Sequence, residues 1–269
     1  MSEDERIFSF LHMPQRTKKP RHAGLTMVEA DVMLAVAGMS WVEDLVEWGG
    51  QWIDYFKLGR TMMFQPRELV LKKLAFLQQR GVEPYVGGTT TEAVLRLDRL
   101  EPYLDELQAL NIKVMELSSN ATSMTIDQKI NLVRKLKERG FTVFAEIGKK
   151  LIGAGGPKGR MPTTEVIREM KDCLAAGAFK VVYEHTEIEE IAREDPGVEA
   201  LLQVAGEVGA DNIMFEVPIE QHKVVAKFAG IYVTHFGANV NIGDVTPCQL
   251  VHLETQRAGY STRTFGRWT

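Results

Sequence analysis

The chain has 269 residues, 45% of them hydrophobic and 25% charged, enough for one sizeable core that needs neither disulfides nor a structural metal. A net charge of -4 gives no electrostatic reason to expect nucleic acid or an anionic membrane as partner. No apolar run approaches the roughly 18 residues of a membrane span, and the acidic start MSEDERIFSF lacks the basic-then-apolar pattern of a signal peptide.

In chain order, residues 1–22 are expected to form an N-terminal arm, its basic stretch Gln15–His22 solvated, and residues 23–269 a single catalytic domain. β-type runs occur at Leu25–Val28, Trp52–Leu58, Glu83–Val86, Val114–Leu117, Thr142–Ile147, Lys180–Tyr183, Ile213–Val217 and Asn239–Ile242. Between them lie segments with apolar residues at helical spacing. Glu68–Arg80 stops at Gly81, Ile126–Arg139 at Gly140, Thr163–Ala176 at Gly177 and Val198–Val208 at Gly209. Strand, helix, glycine, strand, repeated about eight times, predicts parallel βαβ units closed into a (β/α)8 TIM barrel, whose usual length is about 250 residues. An open doubly wound sheet would want GxGxxG after its first strand, where this chain reads Glu29-Ala30-Asp31. The Gly- and Pro-rich stretch Leu151–Pro162 after strand five falls where a barrel carries an active-site loop. Cys173 and Cys248 form neither a CxxC nor a metal-ligand spacing, which suits structural thiols in a reducing, cytosolic compartment.

A barrel's chemistry sits where its strands run out into βα loops. Glu116, Glu146, Glu184 and Glu216 end four consecutive predicted strands, each after an apolar run. Helices cover the outer face of such a sheet, so the four are expected to point inward, where unpaired charge is costly. They need a cation: a lysine (Lys57, Lys149 or Lys150) or a divalent metal, for which oxygen-only ligands select Mg²⁺ or Mn²⁺. A structural ion-pair layer is the competing reading of the same residues. Gly87-Gly88-Thr89 permits close backbone approach to an anion, Arg60 offers a bidentate clamp for phosphate or carboxylate, and Asn239, Asn241 and Gly243 mark the strand-eight end where barrels often hold phosphate. These residues together predict a small anionic carboxylate or phosphate substrate. His185 and His235 near strand ends are acid/base candidates, while His252 is read as structural. No HExxH, GxSxG or Cys/His pair supports zinc hydrolysis or acyl transfer.

With those residues in view, the chain resembles the phosphosulfolactate synthase family. The resemblance rests on Gly24–Val28, Phe56–Gly59, Tyr85–Thr89 with Glu92, Glu116–Ser118, Glu146–Lys150, Phe215–Pro218, Val240-Asn241, and Leu253–Thr255 with Arg257, Gly259 and Thr264–Gly266, in matching order. It implies a (β/α)8 barrel that adds sulfite to phosphoenolpyruvate with Mg²⁺, negative charge collecting on the carboxylate as an aci-carboxylate. By the same resemblance Glu116 and Glu146 are the first metal-ligand candidates, then Glu184, and Lys149 is the acid that protonates C2, with Lys57 the alternative. The departures cluster at strand ends. After Lys57-Leu58-Gly59 stands Arg60-Thr61-Met62-Met63 in place of WGTS; Ser119-Asn120 replace an Asp-Gly; Glu184-His185-Thr186-Glu187 replaces EGRE and loses its arginine. They suggest retained metal chemistry with an altered ligand. Two other readings stand beside this one: a non-catalytic barrel like the family's heat-stress-associated relatives, its active site degenerate, and an aldolase using Lys57 or Lys149 as a Schiff base. The sequence leaves homo-oligomerisation open.

Overall fold

The computed structural model describes residues 7–29, 38–119, 122, 124–149, 160–194, 198–218 and 222–267, with the side chains of residues 60, 61 and 222–226 left aside. Eight parallel strands close in sequence order into a barrel: β1 Thr26–Glu29, β2 Tyr55–Lys57, β3 Glu83–Val86, β4 Val114–Leu117, β5 Thr142–Ile147, β6 Lys180–Tyr183, β7 Ile213–Glu216 and β8 Asn241–Val245. Around them run helices α1 Met39–Gly49, α2 Arg67–Gln79, α3 Gly88–Arg96, α4 Leu100–Ala109, α5 Ile126–Glu138, α6 Thr163–Ala176, α7 His185–Glu194, α8 Glu199–Val208, α9 His222–Phe236 and α10 Leu250–Arg257. The expected (β/α)8 TIM barrel is therefore the observed fold. β3 to β6 begin and end where the hydrophobic pattern places them. β8 begins two residues later than expected. A register shift between β1 and β8 falls beside Asp244, whose φ is 55°.

The helices form for local reasons. At the start of α5 the Thr125 hydroxyl accepts from Gln128 N (3.3 Å) and the Gln128 side chain accepts from Thr125 N (2.9 Å), a capping box that satisfies two otherwise orphaned donors. α6 ends at Gly177, which takes the left-handed conformation that stops a helix cheaply.

Successive strand residues face opposite sides of the sheet. Met115, Leu117, Ala145, Ile147, Val181 and Tyr183 face outward into the large core beneath the helices. Leu25, Met27, Tyr85, Val114, Phe144, Val182 and Met214 face inward and form a second, central core. Tyr55 joins that layer. Its ring lies 5.1 Å from Phe144, which lies 5.3 Å from Tyr85. This aromatic layer fills the barrel and separates its two ends.

Below the layer, the expected solvated arm is instead docked on the barrel floor. Lys19 Nζ donates to Gly50 O (2.8 Å), Gly81 O (3.0 Å) and Ile53 O. Arg21 pairs with Asp54 at 3.0 Å and Arg16 with Glu254 at 2.5 Å. The basic residues that composition would leave in water find backbone carbonyls and carboxylates exposed at the N-terminal strand ends. The final segment closes the same end, with Tyr260 Oη donating to His12 O at 2.5 Å.

Candidate active site

The strand alternation that builds the inner core also builds the site. Two residues beyond each inward apolar residue the side chain again faces inward, one layer higher. Met27 is followed by Glu29, Tyr55 by Lys57, Val114 by Glu116, Phe144 by Glu146, Val182 by Glu184 and Met214 by Glu216. On β3 the equivalent position is Gly87. Asp244, turned inward by its left-handed backbone, completes the ring. Glu116, Glu146, Glu184 and Glu216 are all at most 1% exposed. The four glutamates thus occupy the mouth of the barrel as one group.

Lys57 is the lysine that stands inside it. Its Nζ lies 3.0 Å from Asp244 Oδ1, 3.3 Å from Glu29 Oε2 and 3.6 Å from Glu116 Oε2. Burial opposes the ammonium charge, but Asp244, Glu116 and Glu29 outweigh it and hold the Lys57 pKa well above its usual value. Glu116 is fixed further: Tyr85 Oη donates to Oε2 and Gly88 N donates to Oε1 at 2.7 Å. Gly88 has to be glycine for this approach, because a Cβ there would sit 2.9 Å from Glu116 Oε1 and 2.6 Å from Ser118 Cβ. From behind the wall, buried Lys129 of α5 donates to Glu146 O at 2.8 Å.

On the opposite rim, His185 Nδ1 lies 2.8 Å from Glu184 Oε1 and 3.7 Å from Glu216 Oε2, and His185 N donates to Glu216 Oε2 at 3.3 Å. Burial pushes Glu216 upward, and Asp244 and Glu184 push it further. Its Oε1 is buried with no hydrogen-bond partner. Oxygen atoms of Glu116, Glu146 and Glu216 lie within 4.8 Å of one another, and so do donor atoms of Glu184, His185 and Glu216. Among the described residues, six acidic side chains thus face one lysine and one histidine in the mouth. Such an excess of buried carboxylates, with an oxygen left unpartnered, fits a divalent cation.

The other expected residues divide. Lys149 is exposed at the rim, just past β5. Its peptide is held by Glu187 Oε1, which accepts from Lys149 N at 2.9 Å, and by Thr186 Oγ1, which donates to Lys149 O at 2.7 Å. Gly87-Gly88-Thr89 open α3, but the Gly88 N–H is taken by Glu116 and Thr89 is exposed. Gly243 faces inward, where a Cβ would approach Met214 Cγ to 3.0 Å. Arg60 is the second residue of the short 3-10 turn Gly59–Phe64 after β2, its side chain outside the described residues, as is Lys150 altogether.

Asn239 and Asn241 do not reach the mouth. Asn241 opens β8 at the floor, where Oδ1 accepts from Leu25 N (3.1 Å) and Nδ2 donates to Ile213 O (3.0 Å). Asn239 Oδ1 accepts from Thr17 N at 3.2 Å. The two asparagines splice the N-terminal arm and strand ends together, at the end opposite the chemistry. His235 is likewise an exposed residue of α9, away from the ring. Sequence reasoning gave no role to Asp244, Tyr85 or Glu187. For Tyr85 the two-residue parity with Gly87 was the available signal. Asp244 escapes parity because it sits at the register shift.

A closed barrel with a lysine, a histidine and a ring of carboxylates at the carboxyl ends of its strands defines a TIM-barrel enzyme layout. The model of the (2R)-phospho-3-sulfolactate synthase (ComA) family matches residues 14–262, and the chain belongs to that family of enzymes. It is 28% identical to the phosphosulfolactate synthase of Methanothermobacter thermautotrophicus over 267 residues, covering 97% of this chain and 98% of the relative. It is 27% identical to the phosphosulfolactate synthase of Methanocaldococcus jannaschii over 232 residues, covering 84% of this chain and 89% of the relative. These identities mark a divergent member. Among solved structures, the carboxyl transferase domain of Rhizobium etli pyruvate carboxylase superposes with a TM-score of 0.57 at 11% identity, over 86% of this chain and 41% of that one, a likeness of fold alone. No helix among the described residues is long and apolar enough to cross a membrane.

Proposed function

We propose that the chain is a cytosolic, Mg²⁺-dependent synthase that adds sulfite, or a closely related nucleophile, to the C=C of phosphoenolpyruvate or a similar unsaturated carboxylate. The observation that carries this reading is the convergence of Glu116, Glu146 and Glu216 oxygens within 4.8 Å at the barrel mouth, in a chain of the phosphosulfolactate synthase family. Glu116, Glu146, Glu184 and Glu216 would hold the Mg²⁺, which when bound stabilises negative charge developing on the substrate carboxylate.

The chain's own groups supply the rest. The nucleophile's sulfur bonds to C3, the C=C electrons move toward the carboxylate, and a proton then reaches C2. Lys57, held charged by three carboxylates, is a poor proton donor and serves as fixed positive charge beside the developing anion. Lys149 at the rim, the acid the family resemblance implies, is the proposed donor, its peptide positioned by Glu187 and Thr186. The aromatic layer of Tyr55, Tyr85 and Phe144 closes the site from below, which excludes water from that side. Arg60, in the turn that follows β2, is the proposed clamp for the phosphate.

The test is ³¹P NMR of phosphoenolpyruvate with sulfite and Mg²⁺ present. The expected result is conversion to a phosphorylated C–S adduct, abolished by EDTA and lowered at least 10³-fold in Glu146→Gln and about 10²–10⁴-fold in Lys149→Ala. No turnover of phosphoenolpyruvate with any sulfur nucleophile would overturn the substrate assignment and favour a non-catalytic role. Full activity in Lys149→Ala would overturn the donor.

A further inference from the structure

The arm that docks on the barrel floor carries apolar side chains into solvent before it docks. Ile7, Phe8 and Phe10 are 85%, 64% and 80% exposed, and Leu11 and Met13 follow at 37% each. The Phe8 and Phe10 rings meet edge to face, 5.9 Å between centroids. Phe8 takes a left-handed backbone, φ 61°, which bulky side chains rarely adopt, and Leu11 N closes the turn onto Phe8 O at 2.9 Å. The turn presents the ring pair as a projecting knob. Backbone of this kind persists where its surroundings hold it in place.

A socket lies beside the knob. A cavity of about 230 Å³ is walled by Met13, Pro14, Trp52, Val251, Ala258 and Tyr260. An apolar cavity of about 150 Å³ already admits benzene, so this one has room for a phenyl ring. Val251 of α10, 51% exposed, carries the apolar wall out to the surface. Knob and socket are continuous. Met13 belongs to the arm and lines the cavity, and Tyr260 lines the cavity and donates to His12 O. From Ile7 to Met13 and across to Val251, the patch exposes roughly 600 Å² of apolar surface. That is the upper end of what a monomer usually shows, and it approaches the ~800 Å² that each partner gives up in a standard interface.

We propose that this face joins two copies of the chain about a two-fold axis, the Phe8–Phe10 pair of each copy seated in the socket of the other. A two-fold interface has to be self-complementary, so one patch must carry both what projects and what receives. This patch carries both, whereas an unrelated partner would call for only one of them. The patch lies at the floor, opposite the ring of carboxylates, so the association leaves both mouths free. It rests on no reading of the chemistry.

The experiment is sedimentation velocity of the full-length protein over a range of micromolar concentrations, with an intermolecular disulfide trap. The expected species has twice the mass of one chain. Phe8→Ser with Phe10→Ser removes the knob, and Val251→Glu sets a charge on the socket wall. Each should weaken self-association at least about 30-fold, the effect of losing one aromatic anchor. All three side chains are largely exposed, and circular dichroism checks that the variants fold. For the trap, Phe10→Cys and Val251→Cys are made in separate chains, both carrying Cys248→Ser, and mixed. Oxidation should then link one chain to the other. A monomer at every concentration would overturn the proposal, as would a dimer that survives both sets of substitutions. A dimer that forms no link between the two cysteine variants would overturn the exchanged seating.

Discussion

The two ends of the barrel treat buried charge in opposite ways. At the floor, Arg257 is 1% exposed, yet its guanidinium donates to Ala238 O (2.6 Å), Val240 O (2.8 Å), Leu25 O (3.3 Å) and Thr26 Oγ1 (3.3 Å). Lys19, Arg21, Asn239 and Asn241 are similarly matched to carbonyls or carboxylates. At the mouth, carboxylates outnumber cations and Glu216 keeps an unpartnered oxygen. The floor has buried atoms without hydrogen bonds too, Arg16 Nε, Arg257 Nε and Glu254 Oε1, but there cations face carbonyls and carboxylates, whereas a cluster of like charge costs stability and is retained where a ligand completes it. The floor is accordingly read as structure and the mouth as chemistry.

The strongest way to break that comparison is Lys57→Met. The substitution removes the counter-charge of Glu29, Glu116 and Asp244 together. It should cost about 3–5 kcal/mol near neutral pH, the usual penalty for stripping one partner from a buried ion pair, and activity should fall with it. Urea unfolding in EDTA measures the first effect. A stability change near zero would mean that the carboxylates are already protonated and that the mouth is no longer a charged site.

Arg257→Met makes the complementary test. Several buried acceptors lose their donor, so about 3 kcal/mol of stability should vanish, with kcat per folded molecule unchanged. A loss of kcat in the folded fraction would show that floor and mouth are coupled. Gly88→Ala is expected to leave the floor intact while pushing on Glu116 Oε1 and Ser118. Activity should drop about 100-fold, roughly 2.7 kcal/mol, with a smaller change in unfolding free energy.

The same division explains what the sequence made legible. The barrel was readable because each βα unit carries its own punctuation, with Gly81, Gly140, Gly177 and Gly209 closing periodic helices. The four glutamates were readable because inner-face parity places each two residues beyond an apolar neighbour. Parity fails where strands are irregular. β8 starts at Asn241 and its register against β1 shifts near Asp244, so the asparagines go to the floor and an unassigned aspartate goes to the mouth. Parity also says nothing beyond a strand's end: Lys149, past Gly148, is placed by its contacts with α7. Nor does any periodic pattern show that a basic arm will find carbonyls more than 30 residues away, as Lys19 does at Gly50 and Gly81.

The smallest effect separates the two ends by the sign of their pH dependence. Glu216 is held above the usual carboxyl range by burial, then by Asp244 and Glu184. As pH rises from acid, the unfolded chain ionises at that position first, so the folded state loses relative stability. In EDTA, Glu216→Gln should therefore gain on the wild type between about pH 5 and about pH 8. Lys19 is shifted the other way, lowered by burial from 10.5 to about 8. Below that value both states keep the proton. Between it and 10.5 only the unfolded state does, so stability at this position rises with pH. Compared with Lys19→Gln, the wild type should gain about 1 kcal/mol over that interval, a modest figure because the side chain is partly open to solvent. Urea titrations of the two pairs of proteins across both windows read the signs directly. If both differences run in the same direction, the contrast between a matched floor and a crowded mouth fails.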